Sequence, residues 1–415
     1  MKIITDGNGA CSKVAYYFSE VCSIYPITPS SPMASNIDKL TSTNLLNIFN
    51  DKPKVLEMES EAGAAGAMHG ALLSGSLAST FTASQGLLLM IPNMYKIAGE
   101  MLPAVIHVAS RSLATHALSI FGDHQDIYAT RATGFCILAS SNVFDSQNLA
   151  AVAHLSAIEG SLPFIHFFDG FRTSHELNTI DELPEDKLLT LVNHKKINEF
   201  KDRCLNVGKT YQYGMAQNED IYFQIMESRN KYYDMMPDIV NDYMQKIMNT
   251  SYKPFNYYGS KTAKNVIVAM GSVTDTIKEV VDKLDNVGLI TVHLYRPFSK
   301  KYFLDCLPDT VKNIAVLDRT KEAGSIGEPL YLDVCSILQD KDIKVYGGRY
   351  GLSSKNTTPD EIYSVYKMLD ENPHHNFTIG INDDVTNLSL KPSHIEIKNE
   401  AKEIKIVGFG SDGMV

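Results

Sequence analysis

The sequence lacks the cysteine pairs that hold metal clusters. Its six cysteines stand at positions 11, 22, 136, 204, 306 and 335, and no two of them form a C-x-x-C pair. Zinc ribbons and iron–sulfur clusters need closely spaced cysteines, so we expect neither within this sequence. Isolated cysteines are usually small buried hydrophobic residues, and we expect all six to be buried.

A basic excess and a long apolar run are lacking as well. The chain has 38 Lys and Arg against 48 Asp and Glu, a formal net charge of −10, which argues against nucleic acid as a partner. The longest apolar window, Leu87–Tyr95, contains Pro92 and is shorter than a membrane span. The segment Met1–Ala10 has no apolar core of secretory length. We therefore expect a cytoplasmic protein with no membrane partner.

Short β-rich runs alternate with helix-length segments through most of the sequence. This alternation predicts an α/β fold with mostly parallel sheets covered by helices. The strands predicted in a first series are Ser23–Ile27, Val55–Met58, Leu77–Ala83, Ala104–Ala109, Phe135–Ala139 and Phe164–Phe168. Those predicted in a second series are Val266–Met270, Leu289–Leu294, Ile314–Leu317, Lys344–Tyr346 and Phe377–Ile381.

A chain of 415 residues is too long for one hydrophobic core, so we predict two or three domains. The first covers residues 1–255 and includes a charged helical excursion over about residues 181–250. A linker near Tyr252–Gly259 precedes a second domain at residues 259–400. Ile404–Val407 then predicts a strand that runs into G-F-G-S-D-G, and we interpret residues 401–415 as the truncated start of a third domain.

Two polar residues follow predicted strands of the first series, where ligands of parallel α/β folds bind. A Pro-Ile-Thr-Pro turn presents the hydroxyl of Thr28, although a helix cap explains such a residue equally simply. Glu61 begins a helix rich in Ala and Gly, whose small side chains permit close approach of a backbone or a flat ligand. Its plainer role is to complement the helix dipole.

Arg111 follows the apolar strand that ends near Ala109. A guanidinium there suits a substrate carboxylate, because it can donate two parallel hydrogen bonds. The alternative is a salt bridge to nearby Asp123 or Asp126. His124, between these aspartates, is more simply a hydrogen-bonded residue at a helix start than a catalyst.

Several long sequence motifs include or adjoin these residues, and similar motifs continue through the second series of predicted strands. They are Y-P-I-T-P-S-S (Tyr25–Ser31), S-E-A-G-A-A-G-A (Ser60–Ala67), F-T-A-S-Q-G-L-L-L-M-I-P-N-M-Y-K (Phe81–Lys96), H-A-L-S-I-F-G-D-H-Q-D (His116–Asp126), H-F-F-D-G-F-R-T-S-H-E (His166–Glu176), L-Y-R-P-F (Leu294–Phe298), V-L-D-R-T-K-E (Val316–Glu322) and G-R-Y-G-L (Gly348–Leu352). Together they resemble pyruvate:ferredoxin (flavodoxin) oxidoreductase, in order and over the whole chain.

The resemblance implies a pyrimidine-type thiamine-diphosphate-binding domain followed by a domain like the transketolase carboxyl-terminal domain. Glu61 matches the residue that hydrogen-bonds N1′ of the aminopyrimidine. Thr28 and Arg111 match the residues that hold the pyruvate carboxylate, and Thr28 and Pro29 match part of the cofactor pocket. The small Pro-Ile-Thr-Pro pocket places pyruvate ahead of 2-oxoglutarate as substrate.

The resemblance also implies components that this sequence does not supply. Mg²⁺, [4Fe-4S] clusters and the G-D-G…N motif that holds the diphosphate are expected in missing domains, with coenzyme A as co-substrate and ferredoxin or flavodoxin as electron acceptor. The complete enzyme is expected to be a homodimer, and this chain alone to be inactive. Two alternatives are a non-catalytic relic or assembly module, and the α-subunit of a split 2-oxoacid:ferredoxin oxidoreductase.

Overall fold

The computed structural model describes residues 1–208, 214–248 and 252–397, together with residues 402 and 404. Its strands are β1 (Lys2–Thr5), β2 (Val21–Ile24), β3 (Lys54–Glu57), β4 (Ala78–Thr82), β5 (Val105–Ser110), β6 (Cys136–Ala139), β7 (Phe164–Asp169), β8 (Asn178–Asp181), β9 (Phe255–Gly259), β10 (Asn265–Ala269), β11 (Val287–Val292), β12 (Leu294–Arg296), β13 (Asn313–Asp318), β14 (Lys344–Arg349) and β15 (Phe377–Thr378).

Helices alternate with these strands over most of the chain. They are α1 (Gly7–Phe18), α2 (Ser31–Thr41), α3 (Glu61–Leu73), α4 (Ser84–Gly99), α5 (Gln125–Thr130), α6 (Val143–Gly160), α7 (Arg172–His175), α8 (Glu185–Leu191), α9 (His194–Asp202), α10 (Glu219–Ser228), α11 (Asn230–Met248), α12 (Val273–Val281), α13 (Lys300–Cys306), α14 (Pro329–Leu338) and α15 (Pro359–Glu371).

The first series of strands forms a seven-stranded sheet in the order β12-β6-β7-β5-β4-β2-β3. All neighbours are parallel except β12, which runs antiparallel to β6. Every residue of β4, β5, β6 and β7 is buried, as expected for parallel strands covered on both faces. The predicted α/β fold with parallel sheets is confirmed.

The second series forms a six-stranded sheet in the order β15-β14-β13-β10-β11-β9. The predicted linker over Tyr252–Gly259 is wrong, because β9 occupies most of it and pairs antiparallel with β11. Its run of Phe and Tyr favours an edge strand, and Pro254 lies just before that strand. Pro254 and Gly259 lie at the two ends of this strand and do not indicate a linker.

The two sheets share one stretch of chain. The strand predicted at Leu289–Leu294 ends at Val292, and β12 then pairs with β6 in the seven-stranded sheet. The amide of Ala139 donates to the carbonyl of His293 at this crossing, at 2.8 Å. We also failed to predict β1 and β8, which form a separate two-stranded antiparallel sheet. The domain boundaries given above remain predictions.

Helices close the faces of the sheets. Helix α6 is almost entirely buried and packs against both α1 and α11. The described part of the predicted excursion forms α8 to α11. Among the described residues, no helix is both long enough and apolar enough to cross a bilayer. The predicted strand at Ile404–Val407 and the rest of residues 401–415 lie outside the described residues, apart from positions 402 and 404.

Four of the six cysteines are fully buried, but Cys306 and Cys335 are only half-buried. The expectation of a core position was therefore wrong for these two. Cys306 ends helix α13 and Cys335 lies in α14, two helices whose outer flanks approach the surface. A small apolar side chain on such a flank is covered on one side only.

Candidate active site

Four neighbouring strands of the seven-stranded sheet end at the same edge. The carboxyl ends of β3, β2, β4 and β5 lead into the segments that carry Glu61, Thr28, Ser84 and Arg111, respectively. Because the strands are parallel and adjacent, these segments lie side by side where α/β folds bind ligands. The three residues singled out in the sequence therefore lie along one edge.

Glu61 is the first residue of helix α3. The side chain of Ser60 caps this helix by accepting from the amide of Gly63 at 3.1 Å. The Glu61 side chain is not the cap, and it makes no hydrogen bond or ion pair with any residue that the structure describes. Only 7% of Glu61 is exposed. An acceptor held in a nearly buried position in this way is available to a ligand, and it also lies at the positive end of the helix dipole.

Gly86, in the first turn of α4, packs closely against this carboxylate. A Cβ atom at position 86 would lie 2.7 Å from Oε1 of Glu61 and 2.6 Å from Oγ1 of Thr82. The Thr82 hydroxyl is itself buried without a hydrogen-bond partner among the described residues. A side chain at position 86 would therefore displace one or both of these polar groups.

The turn at Thr28 is fixed by its neighbours. Its peptide bond to Pro29 is cis, and the Pro29 carbonyl accepts from Nδ2 of the buried Asn8 at 3.0 Å. Helix α2 begins at Ser31 after Ser30, so Thr28 is not its cap and that alternative is wrong. The Thr28 side chain is exposed, and its hydroxyl has no hydrogen-bond partner within the described chain.

Arg111 reaches across to this turn. Its Nη1 donates to the backbone carbonyl of Thr28 at 2.8 Å. No described carboxylate forms a salt bridge with the guanidinium, so the alternative of an ion pair with Asp123 or Asp126 is wrong. Burial lowers the pKa of Arg111, while the charge of Asp126 acts in the opposite direction. An almost buried cation without an ion-pair partner attracts an anionic ligand.

A carboxyl group holds the segment of Arg111 to that of Ser84. Oδ2 of Asp126 accepts from the amides of Ser84 at 2.8 Å and Arg111 at 3.0 Å, while Oδ1 accepts from the amide of Ile127. Burial raises the pKa of Asp126 to about 7, against the opposing effect of these amides. The backbone of Ser84 is in the left-handed region, with a φ of 51°. The sequence indicates Asp126 only as a possible salt-bridge partner, so this positioning role was not predicted.

Comparison with protein families decides what kind of chain this is. The family model described as "Pyruvate flavodoxin/ferredoxin oxidoreductase, thiamine diP-bdg" matches residues 13–245, more than half of the chain. This chain belongs to the pyruvate flavodoxin/ferredoxin oxidoreductase family. A second model, "Pyruvate:ferredoxin oxidoreductase core domain II", matches residues 263–362.

Individual members of this oxidoreductase family are similar over nearly the whole chain. The pyruvate-flavodoxin oxidoreductase of Enterobacter agglomerans and the pyruvate:ferredoxin oxidoreductase of Moorella thermoacetica are each 52% identical to it over 99% of its length. The chain spans only 36% of either relative. It therefore corresponds to about a third of these oxidoreductases.

A solved structure supports the fold. The 2-oxoglutarate:ferredoxin oxidoreductase of Magnetococcus marinus, solved with 2-oxoglutarate, coenzyme A and succinyl-CoA bound, superposes with a TM-score of 0.62. The match covers 88% of this chain and 65% of the other, at 17% identity. At that identity the match shows a shared architecture alone.

A second buried polar group of the chain joins the two large sheets. Asp169, at the end of β7, accepts from Nε2 of His124 at 2.5 Å and from the amide of Ser272 at 2.8 Å, and pairs with Nη1 of Arg319 at 3.0 Å. Burial alone would raise the pKa of Asp169, but Arg319 and His124 outweigh it and hold the pKa below its usual range. His124 thus has the predicted role of a hydrogen-bonded residue at a helix start. We missed Arg319, for which the sequence offered only its place in the V-L-D-R-T-K-E string.

Proposed function

We propose that this chain forms the aminopyrimidine and substrate-carboxylate side of a thiamine-diphosphate site in an oxidoreductase that decarboxylates pyruvate oxidatively to acetyl-CoA and CO₂. The observation that carries this proposal is the nearly buried carboxylate of Glu61, unpartnered among the described residues, on the same sheet edge as Thr28 and Arg111. Family membership and the names of the relatives support the same reaction.

The residues present fit the aminopyrimidine end of the cofactor. An aminopyrimidine ring offers a nitrogen that gains a proton, and the Glu61 carboxylate is an uncommitted acceptor for it. Gly86 packs against this carboxylate so closely that a Cβ atom would lie 2.7 Å from Oε1 of Glu61, so the helix starts fix the position of the carboxylate. When bound, thiamine diphosphate would supply a carbon nucleophile and an electron sink for decarboxylation.

Glu61 would control the protonation of one nitrogen of the cofactor ring. Its carboxylate would hold the proton on N1′ of the aminopyrimidine, and burial strengthens this interaction because little water competes for the oxygens. This step depends on the position of Glu61 beside Gly86, which the α3 and α4 helix starts determine.

Arg111 and Thr28 would orient the substrate. The guanidinium supplies charge and direction for a carboxylate, and the free Thr28 hydroxyl can donate one hydrogen bond beside it. Because the reaction must release that carboxylate as CO₂, we expect the interaction to orient the substrate more than to bind it tightly. The Pro-Ile-Thr-Pro turn favours pyruvate over the longer 2-oxoglutarate.

The remaining components are proposed from the family resemblance of the sequence and from the greater length of the relatives. Mg²⁺, the [4Fe-4S] clusters and the residues that bind the diphosphate would come from the part of the relatives that this chain does not span. Ferredoxin or flavodoxin would accept the electrons and coenzyme A the acetyl group, in an enzyme that we propose to be a homodimer. This chain alone is then expected to be inactive.

The test is a chimera in which this chain replaces the matching segment of the Enterobacter agglomerans relative. We expect pyruvate-dependent flavodoxin reduction by the chimera, and a decrease of about 10²–10⁴-fold in Glu61→Gln, as for loss of an acid–base group. Hydrogen exchange at C2 of the bound cofactor is expected to slow in parallel. Glu59→Gln, which changes an exposed carboxylate two residues away, is the matched control. Turnover of Glu61→Gln near that of Glu59→Gln would show that the assignment of Glu61 is wrong.

A further inference from the structure

Three potential metal ligands meet inside the seven-stranded sheet domain, away from the Glu61 edge. Cys11 lies in α1, His107 in β5 and His166 in β7, and all three are fully buried. His107 and His166 are paired across the adjacent strands, so their side chains lie on the same face of the sheet, where α1 packs. Helix and sheet thus bring two imidazoles and a thiol into one cluster.

The donor atoms lie close together, each pair within about 0.5 Å of the separation that a shared metal ion requires. Sγ of Cys11 lies 3.1 Å from Nδ1 of His107 and 3.7 Å from Nδ1 of His166, and the two nitrogens are 3.0 Å apart. Metal bonds of about 2.0–2.1 Å to nitrogen and about 2.3 Å to sulfur, at near-tetrahedral angles, require separations of roughly 3.3–3.6 Å. Small movements of the three side chains would allow their donor atoms to bind one ion together.

The outer nitrogens of both imidazoles are also occupied. Nε2 of His107 lies 3.0 Å from Nε2 of His154, and Nε2 of His166 lies 2.8 Å from Oγ of Ser140. Metal-binding histidines almost always use the second ring nitrogen in this way, because the outer hydrogen bond fixes the ring and its tautomer. These outer contacts hold the two rings so that both Nδ1 atoms face Sγ of Cys11.

Charge decides between the ions that such donors prefer. Thiolate and imidazole suit Cu(I) and Zn(II), and no carboxylate joins this group among the described residues. One thiolate neutralises Cu(I), whereas with Zn(II) a net positive charge would remain in a buried apolar environment, at high cost. We propose that Cys11, His107 and His166 form a structural binding site for one Cu(I) ion.

The cluster is closed to solvent, so the ion is expected to enter during folding. The test is to produce the full chain anaerobically with Cu(I) and with Zn(II), separately and in competition, and to measure bound metal and its X-ray absorption spectrum. We expect about one Cu(I) per chain, with a ligand shell of one sulfur and two nitrogens. Cys11→Ser and His166→Gln are expected to lose this copper, and Cys136→Ser, another fully buried cysteine, to keep it.

Three results would overturn the proposal. The first is that the wild-type chain binds no copper, and the second is that Cys11→Ser binds as much copper as the wild type. The third is that Zn(II) fills the site in preference to Cu(I) in the competition. If Cys11→Ser does not fold, the wild-type absorption spectrum decides, because copper without a sulfur neighbour cannot lie at this cluster. The measurement needs no cofactor and no turnover, so its outcome is independent of the proposed enzyme function.

Discussion

At the scale of single residues, the candidate site contains charged groups that the protein leaves without an ion-pair partner. The guanidinium of Arg111 donates to the carbonyls of Thr28 and Ser119 but forms no ion pair within the described chain. Leaving a charge in this state is costly unless a ligand of opposite charge compensates for it. The cost is consistent with a binding role and not with a contribution to stability.

Arg111→Ala in the chimera is expected to raise the KM for pyruvate by about 10–100-fold, with a smaller effect on kcat, because a charged hydrogen bond contributes about 1.5–3 kcal/mol. Arg111→Lys is expected to recover part of this loss, since it retains charge without the planar pair of donors. Arg131→Ala, which removes an arginine paired with Glu322, is the control. Steady-state kinetics with varied pyruvate measures the effect, and equal KM values in Arg111→Ala and Arg131→Ala would contradict it.

At the scale of elements, the starts of two helices determine the shape of the site. Helix α3 begins with Glu61 after the cap at Ser60, and helix α4 approaches it so closely that Gly86 has no space for a side chain. Two glycines in the interior of α3 are different, because a Cβ at Gly66 or Gly70 would meet no atom within 4 Å. A methyl group is thus expected to have opposite consequences in the first turn of α4 and in the interior of α3.

Gly86→Ala is expected to lower the free energy of unfolding by about 1–3 kcal/mol, as overpacking does, and to displace the Glu61 carboxylate. Gly70→Ala is expected to raise the same free energy by about 0.5–1 kcal/mol, since it replaces an unconstrained glycine in a helix interior. Urea denaturation of the two single variants provides the comparison. A Gly86→Ala variant as stable as Gly70→Ala would contradict the close approach.

At the scale of the whole molecule, the two large sheets are held together by buried polar contacts and by consecutive strands of one chain segment. Asp169 of the seven-stranded sheet meets Arg319, which follows β13 of the six-stranded sheet, and the chain passes directly from β11 in the six-stranded sheet to β12 in the seven-stranded sheet. Removing one member of a buried ion pair leaves the other charged and unpaired. The two halves are therefore expected to depend on each other for stability.

Arg319→Met is expected to lower the free energy of unfolding by about 3–5 kcal/mol. The double variant with Asp169→Asn is expected to lose less than the sum of the two single losses, because the second change removes the unpaired charge. Lys301→Ala breaks an exposed pair with Asp238 and is expected to cost about 1 kcal/mol or less. Denaturation curves decide, and a similar loss for Arg319→Met and Lys301→Ala would refute the coupling.

Local patterns in the sequence predicted most elements but not all of their ends. Apolar runs predicted the buried parallel strands, and the strings after them located Thr28, Glu61 and Arg111, whose catalytic roles remain predictions. The errors arose where tertiary pairing decides the outcome. Strand β9 depends on the edge offered by β11, and β12 on β6, neither of which a local pattern contains.

The sequence by itself determined the α/β class and the type of residue at each strand end, because these follow from periodicity and composition within short windows. Only the tertiary structure decided which of these residues meet. Arg111 and Thr28 are 83 residues apart, and Cys11 and His166 are 155 apart. Such contacts depend on the order of strands in the sheet, which is set by the packing of the whole domain and not by any local run of residues.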